Sequence, residues 1–161
     1  MRTILAVDDN QDDLFLLKRT LALSGVDHRL LTAGDGAQAE ALLDDLGGAN
    51  TPAFPSLIFL DAHMPRLSGF DFLDRVKHKS RCAAVPVVML SSFDDPRDVD
   101  KALELGAAAC LHKPPAPREV RQVLLTLQTP AQSQGNHNDC SGPLGAPPAA
   151  HNRKLEYDKE A

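Results

Sequence analysis

Side chains that can do chemistry stand where the short apolar runs of this sequence end. Asp61 follows the apolar residues 57–60, and the length of this run and its bounding prolines are typical of a strand buried on both faces. Four of five such runs end in reactive residues, which are Asp8, Asp9, Asp61, Ser91 and Lys113. Because the carboxyl ends of parallel strands meet at one edge of a sheet, we expect these side chains to converge.

The types of these residues indicate a site for phosphoryl transfer. Neighbouring carboxylates disfavour one another's ionised forms unless a cation compensates, and Mg²⁺ favours one or two carboxylates together with waters and a phosphate oxygen. Lys113 adds a positive charge for a phosphoryl or carboxylate oxygen, and the Ser91 hydroxyl can donate a hydrogen bond to a phosphoryl oxygen. Since Asp is a known nucleophile, the pattern predicts a phosphoryl group accepted on a carboxylate by positioning and charge neutralisation.

The rest of the sequence predicts the elements that must position these side chains. Strand candidates at residues 3–7, 28–33, 57–60, 86–90 and 109–112 alternate with five helix candidates. Residues 10–13 supply acids and a capping candidate for a first helix at 12–23, and Ser68 is a candidate cap of the third helix. Strict alternation predicts an α/β fold with a parallel sheet, right-handed crossovers and helices on both faces.

Length, cysteine content and hydropathy predict a cytoplasmic protein with one domain. The 161 residues have room for one domain of common size. The cysteines, Cys82, Cys110 and Cys140, are odd in number and show no metal-ligand spacing, which favours reduced thiols. Residues 1–20 lack the apolar segment of a signal peptide, and no apolar run approaches membrane-spanning length. We therefore expect no membrane partner.

The charge of the chain argues against nucleic acid as a partner. The net charge is −5, from 17 basic and 22 acidic residues, whereas broad binding to nucleic acid needs a basic face. One basic group is interpreted as the solvated carboxyl end of a helix, where cations complement the macrodipole. Its members are Arg75, Lys77, Lys79 and Arg81.

The composition changes after the last helix candidate. Residues 129–161 are rich in Pro, Gly, Ala, Ser and Asn and almost lack apolar periodicity, which predicts a disordered tail. The folded domain is therefore expected at residues 1–128. The segment that follows it is too short for a separate output domain, so we expect none.

Several motifs together give the chain a specific resemblance to response-regulator receiver domains. They are Val7-Asp8-Asp9, Leu60-Asp61 with Met64-Pro65 and Gly69, Leu90-Ser91-Ser92 and Lys113-Pro114. The resemblance covers residues 3–127 and implies a flavodoxin-like, doubly wound (βα)5 fold with strand order 2-1-3-4-5. Residues 8–14 further resemble single-domain receivers that are paired with phytochrome-type histidine kinases.

The resemblance also implies roles for the acids and for the residue that follows them. Asp61 would accept a phosphoryl group from the phosphohistidine of a histidine kinase. Asp9 and Asp61 would bind Mg²⁺ directly, and Asp8 would assist through water. His63 would offer only its backbone carbonyl to the metal.

Ser91 and Lys113 complete the implied switch. Ser91 would swing toward the phosphoryl group and Lys113 would bind it, and the bond between Lys113 and Pro114 is often cis in such domains. Receivers usually carry Tyr or Phe three residues before this lysine, where this sequence has Cys110. The chain thus departs from the usual aromatic relay, and we expect a small buried residue that fills the strand rather than a redox sensor.

The resulting prediction is a phosphorelay response regulator without an output domain, which switches a protein-interaction surface. Its chemistry would be limited to self-catalysed phosphoryl acceptance and slow autodephosphorylation, with Phe93 excluding water, so it would not be an enzyme with turnover. The expected partners are a sensor histidine kinase, of phytochrome type, and a downstream protein target. A second copy could bind through the fourth helix, fifth strand and fifth helix.

The alternative function is a constitutive adaptor with a receiver fold and no phosphorylation, for which Cys110 is the only support. An aspartate-based phosphohydrolase needs a second acid two residues after the nucleophile, where this chain has His63. A flavodoxin-type cofactor site would need a phosphate loop after the first strand, and the acids at residues 8–13 would repel a phosphate.

Overall fold

The computed structural model describes residues 1–47, 51–92 and 94–127, in which strands and helices alternate as predicted. The strands are β1 (Arg2–Val7), β2 (His28–Ala33), β3 (Leu57–Asp61), β4 (Val87–Ser91) and β5 (Ala109–His112). The helices are α1 (Gln11–Leu23), α2 (Gly36–Asp45), α3 (Gly69–His78), α4 (Pro96–Glu104) and α5 (Pro117–Thr126). The predicted tail at 129–161 and the predicted role of Phe93 lie outside the described residues. None of these helices is long and apolar enough to cross a membrane.

The strands of the described residues form a five-stranded parallel sheet in the order β2-β1-β3-β4-β5, which confirms the predicted topology. The pairing aligns the strand ends, so that Val7 lies beside Leu60 and Ser91 lies beside His112. Residues that end or follow β1, β3, β4 and β5 therefore meet at the same edge of the sheet. We call this edge the carboxyl edge.

Two apolar cores lie on the two faces of the sheet. Successive residues of β1 alternate between them, so that Leu5 belongs to one core and Ile4 to the other, and both side chains are fully buried. Helices α2, α3 and α4 cover the first core, while α1 and α5 cover the second. Since both faces are covered, β3 and β4 are apolar throughout until they reach the carboxyl edge.

Polar side chains cap four of the helices. Asn10 accepts a backbone hydrogen bond at the start of α1, and Ser68 does the same for α3, as predicted from the sequence. Asp35 and Asp95 cap α2 and α4 in the same way. Each cap satisfies a backbone N–H group that has no partner within its helix, and so fixes the residue at which the helix begins.

Some boundaries differ from the predicted ones by one residue. Strand β1 begins at Arg2, and helix α1 begins at Gln11. Strand β4 begins at Val87 rather than at Pro86 and includes Ser91. Proline has no N–H group to donate, which explains why Pro86 lies outside the strand.

The basic residues lie at the carboxyl end of α3, as interpreted from the sequence, and three of them also bind neighbouring elements. Lys77 is half-buried, and its Nζ donates a hydrogen bond of 2.8 Å to the carbonyl oxygen of Val85 in the loop before β4. Arg75 and Lys79 form ion pairs with acids of α2, at 3.7 Å and 3.6 Å. These side chains therefore fasten α3 to its neighbours in addition to complementing the macrodipole.

Replacement of Arg66 by glycine is expected to stabilise the protein by about 1 kcal/mol. Arg66 is exposed, lies between β3 and α3 and has a φ of 70°, a region in which the Cβ of an L-residue crowds the backbone. Glycine relieves this crowding but has more freedom in the unfolded chain, so the net gain is smaller than the cost of the crowding itself. Urea unfolding of the wild type and Arg66→Gly measures the difference.

Arg66→Ala is the matched control for this prediction, because it removes the same side chain but keeps Cβ. It should change the free energy of unfolding by less than about 0.5 kcal/mol, as is usual for an exposed position. Equal stabilities of the glycine and alanine variants would show that the backbone at Arg66 is not strained.

Candidate functional site

The carboxyl edge brings the predicted site residues together around an open pocket. The loops after β1, β3 and β5 and the end of β4 supply its lining, which includes Asp9, Asp61, His63, Ser91 and Lys113. Asp8 contacts Lys113 directly and is only 5% exposed. The structure thus places all six residues singled out from the sequence in one site.

Three of the carboxylates at this pocket form a close cluster. One oxygen from each of Asp8, Asp9 and Asp61 lies within 4.8 Å of the other two. Asp8 and Asp61 are buried, whereas Asp9 is exposed. The backbone N–H of Asn10 donates to Asp8 Oδ1 at 2.9 Å. The backbone N–H of His63 donates to Asp61 Oδ1 at 3.2 Å, so the loops themselves hold both buried carboxylates in place.

Lys113 is the positive centre of the site. Its Nζ lies 2.7 Å from Asp8 Oδ2, 3.0 Å from Asp13 Oδ2 and 3.1 Å from Asp61 Oδ1. An ammonium group has three hydrogen-bond donors, so three carboxylates match its full capacity. The contact with Asp13 was not predicted, because an acid in the first turn of α1 is already explained by the helix macrodipole.

Burial and neighbouring charges together set the pKa values of Asp61 and Lys113. Burial raises the pKa of Asp61 and the charge of Asp8 raises it further, and the net pKa is about 6 although Lys113 and the His63 N–H lower it. Burial by itself would lower the pKa of Lys113. Hydrogen bonds to Asp8 and Asp13, together with the charge of Asp61, raise that pKa above its usual value. The site therefore keeps its ammonium group charged and still carries uncompensated negative charge.

His63 and Ser91 connect the pocket with α4 and β4. Ser91 is the last residue of β4 and is 1% exposed. The exposed ring of His63 lies with Nε2 3.5 Å from Asp98 Oδ2 on α4, and it packs edge-on against Phe70 with ring centroids 6.2 Å apart. The loop that follows Asp61 is thereby joined to α4, a contact that was not predicted from the sequence.

Cys110 takes the place of the expected aromatic residue on β5. It is half-buried and packs against the core covered by α2, α3 and α4. Burial raises the pKa of its thiol to about 11, so the sulfur is protonated and weakly nucleophilic near neutral pH. These properties favour the predicted packing role over a redox sensor. The peptide bond between Lys113 and Pro114 is cis, as expected.

Comparison with known proteins identifies the family. The family model of the response regulator receiver domain matches residues 4–125. The response regulator Rcp1 of Synechocystis sp. is 32% identical over 112 residues, which cover 70% of this chain and 76% of Rcp1. The Mn²⁺-bound structure of Rcp1 superposes with a TM-score of 0.66 at 26% identity, covering 86% of this chain and all of that one, 100%.

Two further solved structures have the same fold and come from phytochrome response regulators. The bacteriophytochrome response regulator AtBRR superposes with a TM-score of 0.67 at 27% identity, covering 86% of this chain and 99% of its own. The phosphorylated cyanobacterial phytochrome response regulator RcpA superposes with a TM-score of 0.63 at 29% identity, covering 76% of this chain and 88% of its own. With its fold, strand-end residues and sequence match, the chain belongs to the response regulator receiver family of two-component signalling and is similar to the phytochrome response regulators within it.

Proposed function

We propose that this receiver domain accepts a phosphoryl group on Asp61 from the phosphohistidine of a sensor histidine kinase. The observation that carries the proposal is the contact of one ammonium group, that of Lys113, with both Asp61 and Asp8, which belong to a cluster of three carboxylates. Such a site combines a nucleophilic carboxylate with a fixed positive charge for the group that is transferred.

Asp61 acts as the nucleophile of this transfer. Within the described residues, the contacts of its carboxylate with Lys113 and with the His63 N–H both fall on Oδ1. Oδ2 is therefore the oxygen that forms the bond to phosphorus, while the phosphorus–nitrogen bond of the phosphohistidine breaks and the released nitrogen takes up a proton. Because the pKa of Asp61 is about 6, its carboxylate is ionised and nucleophilic near neutral pH.

The carboxylates of the pocket fit Mg²⁺. The residues that would hold it are Asp8, Asp9 and Asp61 with their side chains and His63 with its backbone carbonyl. Oxygen donors within 4.8 Å of one another suit a hard cation. Burial and then the charge of Asp8 raise the pKa of Asp61, and Lys113 only partly offsets them. When bound, the ion neutralises charge that the carboxylates and the phosphoryl group bring together. The Mn²⁺-bound structure of the related Rcp1 supports a divalent ion.

Lys113 and Ser91 bind the oxygens of the transferred group. Lys113 already contacts Asp61, so its ammonium group reaches a phosphoryl group on that residue with little movement. Ser91 lines the same pocket, and its hydroxyl swings to donate a hydrogen bond to a phosphoryl oxygen. Both residues end or follow strands beside α4 and α5, so their movement alters the surface that α4, β5 and α5 form together.

This surface, made of α4, β5 and α5, is the proposed output of the domain. It contacts a downstream protein or a second copy of the chain, and it does not bind nucleic acid because acidic residues outnumber basic ones, 22 to 17. The similarity to AtBRR and RcpA supports a phytochrome-type sensor kinase as the phosphodonor. The chemistry of the domain is limited to catalysing the transfer of a phosphoryl group to its own Asp61 and the slow hydrolysis of that group.

Intact-mass measurement after treatment with acetyl phosphate and Mg²⁺ tests the phosphoacceptor. The wild type should gain the mass of one phosphoryl group, and Asp61→Asn should gain none, because an amide is a poor nucleophile. Asp12→Asn is the matched control, since it removes an exposed acid near the pocket, and it should be labelled like the wild type. Equal labelling of the wild type and Asp61→Asn would place the phosphoacceptor elsewhere. A wild type that takes up no label would favour the constitutive adaptor.

A further inference from the structure

Asp13 is a charged residue of the pocket, and it has no role in the proposed phosphoryl transfer. It lies in the first turn of α1, and its Oδ2 is 3.0 Å from Nζ of Lys113. The side chain of Asp13 is 31% exposed and that of Lys113 is 19% exposed, so most of the lysine is removed from water. An ammonium group in this position depends on carboxylate partners, because water no longer solvates it fully.

The other two partners of Lys113 have a second role. Asp8 and Asp61 belong to the carboxylate cluster that fits Mg²⁺, whereas Asp13 lies outside that cluster. A divalent ion bound there compensates the negative charge of Asp8 and Asp61 and also repels the ammonium group of Lys113. This repulsion weakens Mg²⁺ binding unless Lys113 keeps a carboxylate that does not bind the ion.

We propose that Asp13 is a positioning residue that retains Lys113 when Mg²⁺ occupies the cluster, and that it thereby raises the affinity of the domain for Mg²⁺. This inference rests on the metal site of the proposed function. When Mg²⁺ binds, Lys113 loses its contacts with Asp8 and Asp61 but keeps its contact with Asp13. It therefore stays in the pocket, where it binds the phosphoryl group. Without Asp13, the ammonium group competes with Mg²⁺ for the same oxygens.

Calorimetric titration of the whole chain with Mg²⁺, without any phosphodonor, tests this role. Asp13→Asn should weaken Mg²⁺ binding about tenfold, as expected for the loss of one charge-assisted contact. The matched control, Asp12→Asn, removes an exposed acid from the same helical turn, and it should change the affinity by no more than about twofold through screened charge. Asp13→Glu keeps a carboxylate and should restore most of the affinity.

Lys113→Met separates the proposed route from other effects of Asp13. If Asp13 acts through Lys113, the addition of Asp13→Asn to Lys113→Met should weaken Mg²⁺ binding by no more than about twofold, as in Asp12→Asn. Circular dichroism of each variant establishes that the fold is kept. Should Lys113→Met not fold, the comparison of Asp13→Asn with Asp13→Glu and Asp12→Asn decides the question without it.

The outcomes distinguish the role of Asp13 from the metal site itself. Equal Mg²⁺ affinities of Asp13→Asn and Asp12→Asn, or a tenfold loss that persists without Lys113, would overturn the role of Asp13 and leave the metal site intact. A wild type that binds no Mg²⁺ would overturn the metal site of the proposed function, and the role of Asp13 with it.

Discussion

Gly69→Ala is expected to destabilise the protein by at least about 3 kcal/mol, since the added methyl group has no space. A Cβ at this position would lie 2.0 Å from the carbonyl oxygen of Asp61 and 2.8 Å from Cα of Ala62. Both atoms belong to the backbone at the end of β3, and the N–H of Gly69 also donates to the carbonyl of Ala62 at 3.1 Å. The start of α3 or the end of β3 must therefore move, because no side chain can give way. Urea unfolding followed by circular dichroism measures the loss.

Gly47→Ala is the matched control for steric contact. Gly47 has a φ of 77°, but among the described residues other than its chain neighbours no heavy atom lies within 4 Å of the position that a Cβ would take. The control should therefore lose only the cost of placing alanine in the left-handed region, about 1 kcal/mol. Similar losses in the two variants would contradict the close contact between α3 and β3, and a soluble but unfolded Gly69→Ala would agree with it.

Asp61→Asn is expected to stabilise the metal-free protein by about 2 to 3 kcal/mol at about pH 8, a value that follows from a pKa raised from 3.8 to about 6. The side chain of Asp61 is 7% exposed, so solvent screens the effect little. The carboxylate of Asp61 binds a proton more tightly in the folded protein than in the unfolded chain. Ionisation of Asp61 therefore costs no stability below about pH 4, costs more as the pH rises to about 6, and costs the full amount above it. Asparagine removes that cost.

Urea unfolding in EDTA across this pH range measures the effect. The gain from Asp61→Asn should be complete above about pH 6 and absent near about pH 4. Asp74→Asn replaces an exposed acid far from the pocket and should show no such dependence. A gain that is independent of pH would mean that the charge of Asp61 is not its cause. Added Mg²⁺ should stabilise the wild type more than Asp61→Asn, because the variant has lost one proposed ligand.

The positions of Asp8, Asp61 and Lys113 were predictable because the fold marks the ends of its strands. A strand that is covered on both faces consists of apolar residues, and the apolar run must stop where the backbone reaches the carboxyl edge. Parallel pairing then sets these ends side by side, whatever the details of the helices. The convergence of the acids with the lysine follows from that reasoning, whereas the strand order was implied by the resemblance to receiver domains.

Contacts between distant elements were not predictable in the same way. Whether Asp13 reaches Lys113 depends on the rotation of α1 about its axis and on its place over the sheet, both of which are set by core packing. The sequence holds one hint, since Asp13 precedes Leu14 on the buried face of α1. The contact between His63 and Asp98 depends likewise on where α4 lies beside the loop after β3.

The strands β2, β1 and β3, which are neighbours in the sheet, also precede β4 and β5 in the chain. During synthesis these three can pair before the later strands leave the ribosome, and β4 and then β5 each add to an edge that already exists. No described strand has to insert between two that are already paired. Three of the four pairings join strands that are consecutive in the chain, which keeps the entropy lost at those steps small. Assembly of the sheet can thus follow the direction of translation, with the edge formed by β5 completed last.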